Sequence, residues 1–68
     1  MEVRYLIYNK IKELCREKGI SVSSVERDAG LGNGAISKWN DVSPTVSNLQ
    51  AVAKVLKVKV DTLLTEEK

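Results

Sequence analysis

The sequence predicts an all-α fold, a compact bundle of five helices that forms a single domain over residues 1–68. Leu, Ile, Val and Ala recur at intervals of three and four residues, which is the spacing of an amphipathic helix. Serine, threonine and glycine residues stand where these apolar runs begin and end. Since only 4% of the residues are aromatic and Phe is absent, aliphatic side chains must fill a small core.

The first helix is predicted over residues 3–18. Gly19 follows it and can adopt the left-handed backbone conformation that commonly ends a helix. Charged residues occupy the opposite side, which we expect to face solvent. The apolar face consists of Val3, Ile7, Ile11 and Leu14, with Leu6 and Cys15 beside it.

The centre of the chain predicts two short helices joined by a sharp turn. Ser21 is a favourable N-cap for a second helix over 22–29, and Gly30 can end that helix in a left-handed conformation. A third helix is predicted over 33–40, although Gly34 lowers its helix propensity by ~1 kcal/mol relative to Ala. Together these elements predict a helix-turn-helix. The residues expected to face the core are Val22, Val25, Ala29, Leu31, Ala35, Ile36 and Trp39.

The last third of the chain predicts two further helices. A fourth helix is expected over 46–57 with Thr45 as its N-cap. Ser43 as the cap, with Pro44 at the first helical position, is the alternative. A short fifth helix is expected over 60–65.

Composition excludes several classes of function. One cysteine and no histidine rule out an internal disulfide and a zinc site, and we expect no metal or cofactor. Without His or clustered carboxylates, we do not expect an enzyme or a small-molecule substrate. No apolar run approaches the ~18–20 residues of a membrane span, so we expect a cytoplasmic protein that does not bind membranes. A net charge of +2 is compatible with DNA binding but does not require it.

The sequence resembles the lambda-repressor-like, or Cro/XRE-type, helix-turn-helix domains over nearly its whole length. The central stretch Gly-Leu-Gly-Asn-Gly-x-Ile-Ser-Lys-Trp is especially similar to repressors of phages and mobile elements in Gram-positive bacteria. The resemblance implies a sequence-specific regulator of transcription, expected to be a repressor, that binds double-stranded DNA. The matching residues are Ile11-Lys-Glu-Leu14, Gly30-Leu31, Ile36-Ser-Lys-Trp39, Pro44, Leu49, Val52-Ala53, Leu56-Lys-Val58 and Leu63-Leu64.

In this family the third helix enters the major groove, and small or polar side chains near its start read the bases. The Asn33 amide suits adenine N6 and N7, and Lys38 can reach guanine O6 or N7. Asn33 could alternatively act only as an N-cap of the third helix. The resemblance implies base contacts from Asn33, Gly34, Ser37 and Lys38.

Contacts to the DNA backbone are expected from helix N-termini and flanking loops. Lys38 is the only cation that we assign to the recognition unit, so the salt dependence should be modest, with a log–log slope of roughly 2–4 per half-site. The expected backbone contacts are Ser21, Ser23, Asn40, Ser43, Thr45, Ser47 and Asn48.

Several positions depart from the family pattern. Glu26 stands where Ala is usual, which predicts either a wider helix crossing or a side chain that bends to solvent. Val22 replaces a Gln that contacts a phosphate in relatives. Cys15 and Asn40 together replace a charged Arg and Glu pair, and we expect these two residues to be neighbours.

The end of the chain predicts either core or interface. Relatives read palindromic operators as dimers, so the apolar residues here could form a dimer interface. The two leucines could instead complete the core. A protein-interaction module on the same scaffold, such as an antitoxin or adaptor, is the alternative function, and the lack of an aromatic platform disfavours RNA binding. The residues of the expected homodimer interface are Val58, Val60, Leu63 and Leu64.

Overall fold

The computed structural model describes residues 6–64, and all regular structure within that range is helical. The predicted all-α class is therefore confirmed. The α-helices number four rather than the expected five, and a short 3₁₀ helix, η1, stands in place of the predicted third helix. Val3 and Thr65, at the ends of predicted helices, lie outside the described residues. The elements are α1 (Ile7–Lys18), α2 (Val22–Asp28), η1 (Ile36–Lys38), α3 (Val46–Leu56) and α4 (Val60–Leu63).

The predicted helix over 33–40 is wrong in its extent. Gly34 has a φ of +85°, a left-handed conformation that an α-helix cannot contain. The Ala35 N–H donates to the Gly32 carbonyl oxygen at 3.1 Å, which closes a turn ahead of η1. Gly34, expected only to lower the propensity of this helix, therefore prevents the helix from starting before η1.

Side-chain caps start two of the helices. The Ser24 N–H donates to Ser21 Oγ at 3.1 Å, and the Asn48 N–H donates to Thr45 Oγ1 at 3.1 Å. Both bonds satisfy an amide that has no partner within its own helix. The predicted caps Ser21 and Thr45 are confirmed, and the alternative cap at Ser43 is wrong.

Left-handed residues end α1 and α3 in the same way. Gly19 has a φ of +70°, and the next residue, Ile20, donates its N–H to the Cys15 carbonyl at 3.0 Å. Lys57 has a φ of +59°, and Val58 donates to the Ala53 carbonyl at 3.0 Å. The fourth predicted helix therefore ends one residue earlier than expected, because Lys57 is its left-handed cap.

The core lies between the helices, since α3 packs against α2 and α4 while α1 packs against α2, α4 and η1. Trp39 is 6% exposed, so it fills the core rather than offering a stacking surface. None of the helices in residues 6–64 combines the length and apolar character needed to cross a bilayer. The buried apolar residues are Ile7, Ile11, Leu14, Cys15, Val25, Ile36, Trp39, Leu49, Val52, Ala53, Leu56 and Leu63.

Replacing Lys57 with Gly should stabilise the protein. Glycine removes the strain of ~1–2 kcal/mol that an L-residue has in the left-handed conformation. Its unfolded chain has more conformational entropy to lose on folding, which offsets a smaller part of this gain. We expect the free energy of unfolding from urea titration to rise by about 0.5–1 kcal/mol. Lys54→Gly, within α3, is the matched control and should lower it by about 1 kcal/mol. Equal destabilisation by both variants would contradict the assigned cap.

The Cys15 thiol should be unreactive in the native protein. Its burial raises its pKa above the ordinary value of 9.0, because desolvation disfavours the thiolate. The folded state therefore holds the thiol proton more tightly, and this contribution to stability is lost as the pH rises above about 9. At about pH 8, a thiol reagent should modify the native protein far more slowly than protein unfolded in urea. Equal rates would show that the thiol is accessible.

Candidate nucleic-acid interface

The turn between α2 and η1 begins with a glycine-capped helix end. Gly30 has a φ of +76°, as expected for the residue that terminates α2. The Leu31 N–H donates to the Glu26 carbonyl oxygen at 2.8 Å, and the Gly30 N–H donates to the Arg27 carbonyl at 3.2 Å. This pair of bonds is the Schellman arrangement, and it fixes the direction in which the chain leaves α2.

The side chain of Glu26 continues this connection on the other side of the turn. Its Oε1 accepts the Gly34 N–H at 3.1 Å, and its Oε2 accepts the Ile36 N–H at 2.9 Å. Glu26 is 4% exposed, so the expectation of a side chain bent to solvent is wrong. A glutamate eight positions before its partner has no standard capping spacing, which is why local sequence rules missed this contact.

The four residues expected to contact bases lie together on the turn and η1. Asn33, Ser37 and Lys38 are exposed, and Gly34 is half-buried. Within residues 6–64 the Asn33 side chain has no hydrogen bond, while Glu26 satisfies the amides at the start of η1. Capping is therefore not the role of Asn33. The Ser37 hydroxyl donates to the Gly34 carbonyl at 2.7 Å, so the oxygen of this exposed residue can act only as an acceptor toward another group.

A shallow depression separates α2 from the turn and is lined in part by Ser23, Arg27 and Asn33. It brings an expected backbone contact, Ser23, beside an expected base contact, Asn33. Arg27 is exposed, and its Nε lies 3.8 Å from Oδ1 of Asp28, which is also exposed, so the pair is too solvated to hold the arginine firmly. Our assignment of Lys38 as the only cation of this unit omitted Arg27. Its position four residues after Ser23, on the same face of α2, could have revealed it.

The other expected backbone contacts lie at helix starts or in the loop before α3. The hydroxyl oxygens of Ser21 and Thr45 already accept a capping bond. Asn48 is half-buried and donates its backbone N–H to Thr45. The exposed members of the set are Ser21, Ser23, Ser43, Thr45 and Ser47.

Asn40 joins the end of the η1 region to α1. Its Oδ1 accepts the N–H groups of Tyr8 and Asn9 at 3.0 and 3.3 Å, and its Nδ2 donates to Asn9 Oδ1 at 3.0 Å. Leu6, the residue before α1, provides no side-chain cap, so Asn40 supplies one from 31 positions away. Cys15, the residue expected to be its neighbour, lies about two helical turns further along α1 than the amides that Asn40 caps. The Asn40 amide is therefore engaged within the fold.

The expected dimer patch is smaller than the sequence suggested. Leu63 is 1% exposed and belongs to the core, so it cannot also form an interface. Val58, Val60 and Leu64 are half-buried and pack against that core, with part of each side chain at the surface. The alternative role, completing the core, is confirmed for Leu63.

Solved structures with this fold include known regulators. The N-terminal DNA-binding domain of SinR from Bacillus subtilis is 33% identical, with a TM-score of 0.79 over 93% of this chain and 96% of that domain. The P22 c2 repressor in complex with synthetic operator 9T is 29% identical, with a TM-score of 0.76 over 88% of this chain and 94% of that one. The hypothetical transcription factor NHTF from Neisseria shares the fold at 22% identity, with a TM-score of 0.80 over 96% of this chain and 77% of that one.

Comparison with curated proteins gave no match. The family model described as the Cro/C1-type HTH DNA-binding domain matches residues 10–68, most of the chain. This family and fold are those of DNA-binding regulators rather than enzymes. The sequence match, the glycine-bent connection from α2 to η1 and the likeness to SinR agree, and the chain belongs to the Cro/C1-type helix-turn-helix DNA-binding family.

Proposed function

We propose that this protein represses transcription by binding a specific sequence in double-stranded DNA, with the turn and η1 in the major groove. The observation that carries the proposal is the exposed polar cluster of Asn33, Ser37 and Lys38 on a segment whose backbone is anchored to α2. SinR and the P22 c2 repressor, which share the fold, are described as a DNA-binding protein and a repressor bound to an operator.

Each residue of the cluster has a distinct chemical role in this proposal. The side-chain amide of Asn33 has both its oxygen and its NH₂ group available, so it can accept from adenine N6 and donate to adenine N7 at once. Lys38 donates to guanine O6 or N7. Ser37 accepts from a base amino group, because its proton is already donated to Gly34. Gly34 lacks a side chain and so allows the backbone to approach the edge of the groove.

The backbone contacts position the reading segment without selecting sequence. The exposed hydroxyls of Ser23, Ser43 and Ser47 are suitable donors to phosphate oxygens. We add Arg27, whose guanidinium lies at the depression shared by Ser23 and Asn33. A planar guanidinium binds a phosphate through two donors at once, which a hydroxyl cannot do.

A short reading segment contacts few base pairs, and two copies on a palindromic operator would double the contacts. The surface parts of Val58, Val60 and Leu64 are the candidate contact between the copies. The limited area of these half-buried side chains supports an association that forms mainly on DNA rather than a stable dimer in solution.

Asn33→Ala and Lys38→Ala test the reading residues. Wild-type protein is first used to select a duplex from a random pool, and affinities are then measured by fluorescence anisotropy. Each substitution removes a base contact of ~1–3 kcal/mol, so the affinity for the selected duplex should fall roughly 5- to 150-fold. Asn33→Ala should leave the affinity for an unrelated duplex nearly unchanged.

Matched controls come from α3, where Gln50 and Lys54 are exposed. Gln50→Ala and Lys54→Ala remove the same chemical groups and should preserve binding of the selected duplex. Selection of no sequence by the wild type, or variants that bind as the wild type does, would disprove the proposal. A stable complex with another protein and no affinity for DNA would assign the chain to the antitoxin or adaptor class.

Arg27→Ala tests the added phosphate contact. Loss of one neutralised phosphate should reduce the slope of log affinity against log salt by about 1. The affinity for the selected and unrelated duplexes should fall by the same factor, since a phosphate carries no sequence information. Arg16→Ala, an exposed arginine on α1, is the control with an unchanged slope. A change in sequence preference on Arg27→Ala would instead indicate a base contact.

A further inference from the structure

We infer that Glu26 is a positioning residue for base recognition: its buried carboxylate orients the segment that carries Asn33, Ser37 and Lys38. The inference rests on the proposed function. It goes further by assigning part of the sequence discrimination to a side chain that is only 4% exposed and whose two carboxylate oxygens are both bonded to backbone amides.

The chemistry of the contact is unusual for a surface motif. Among the charged side chains of residues 6–64, Glu26 is the only one that is buried. Its partners are not cations but two backbone amides, Gly34 and Ile36, one for each carboxylate oxygen. A charge can be buried only where such donors are held in place. Hydrogen bonds to a carboxylate are also stronger than those between neutral groups.

Apart from the packing of the buried Ile36 side chain, the segment has few contacts that hold its backbone. η1 has three residues, too short for a helix to be stable through its own hydrogen bonds. The two amides bonded by Glu26 flank the reading residues: Gly34 directly follows Asn33, and Ile36 directly precedes Ser37. The Glu26 carboxylate therefore ties the backbone beside the three reading side chains directly to α2, while Ile36 holds the same segment to the core.

The same bonds remove an alternative way to hold DNA. Free amides at the start of a helical turn attract phosphate. Here the amides of Gly34 and Ile36 are occupied by Glu26, and the Ala35 amide is occupied by the Gly32 carbonyl. The start of η1 is thus committed to internal bonds, and its contribution to DNA binding is to present side chains in a fixed direction.

Glu26→Gln is the most informative substitution, because it preserves the size of the side chain. An amide offers only one acceptor oxygen, so one of the two backbone N–H groups loses its acceptor and faces an NH₂ donor instead. Glu26→Ala removes both bonds. Glu13→Gln, an exposed position on α1, is the control for loss of one negative charge. Circular dichroism and thermal unfolding establish that each variant is folded at the assay temperature.

The readout is the ratio of affinities for the duplex selected by the wild type and an unrelated duplex of equal length. We expect Glu26→Gln to reduce this ratio about tenfold, the effect of one lost bond to a charged group, with the unrelated duplex bound within about twofold of wild type. A lower fraction of folded protein would weaken both duplexes equally. An effect of the lost negative charge alone would raise the affinity for both duplexes. Either of these results, or an unchanged ratio, overturns the inference.

Amide hydrogen exchange in the wild-type protein tests the geometry independently of any variant that fails to fold. We expect the Gly34 and Ile36 amides to be protected, and the exposed Asn33 amide to exchange faster. Rapid exchange at Gly34 and Ile36 overturns the inference. If the wild type selects no sequence, both this inference and the proposed function fail. If it selects one and Glu26→Gln discriminates as well, only the inference fails.

Discussion

The contact between the Glu26 carboxylate and the amides of Gly34 and Ile36 is the interaction on which the surface of this domain depends. Through its main-chain carbonyl, the same residue also accepts the Leu31 amide at the end of α2. One residue therefore defines where a helix stops, how the chain turns and where the next segment starts. The buried Ile36 side chain adds apolar packing beneath η1, so the segment is held both by these hydrogen bonds and by the core.

The features that the sequence predicts well are those set by local rules. Apolar spacing identified Ile11, Val25 and Ile36 as core residues, and each is fully buried. The caps Ser21 and Thr45 were predicted because a capping side chain bonds an amide only three residues away. The family resemblance supplied the proposed reading residues, of which Asn33, Ser37 and Lys38 are exposed.

The features that it did not predict depend on contacts between distant residues or on backbone geometry. Glu26 and Asn40 bond amides 8 to 32 positions away, and no local pattern distinguishes them from solvated side chains. The left-handed conformation of Gly34 delays the third helical segment to Ile36, where propensity alone allowed a helix from Asn33. Leu63 could be assigned to core or interface only after α4 had been packed against α1 and α3.

Asn40 couples the start of α1 to the chain that follows η1. Two amides in the first turn of α1, those of Tyr8 and Asn9, are bonded by Asn40, which comes 32 and 31 residues later in the chain. These bonds form only when the chain beyond η1 is in place. Fraying of that turn and loosening of the residues after η1 are therefore a single event rather than two. Closing such a loop costs entropy before it brings any contact, so this junction should form late in folding. The reading surface and the beginning of α1 thus belong to one unit of local stability.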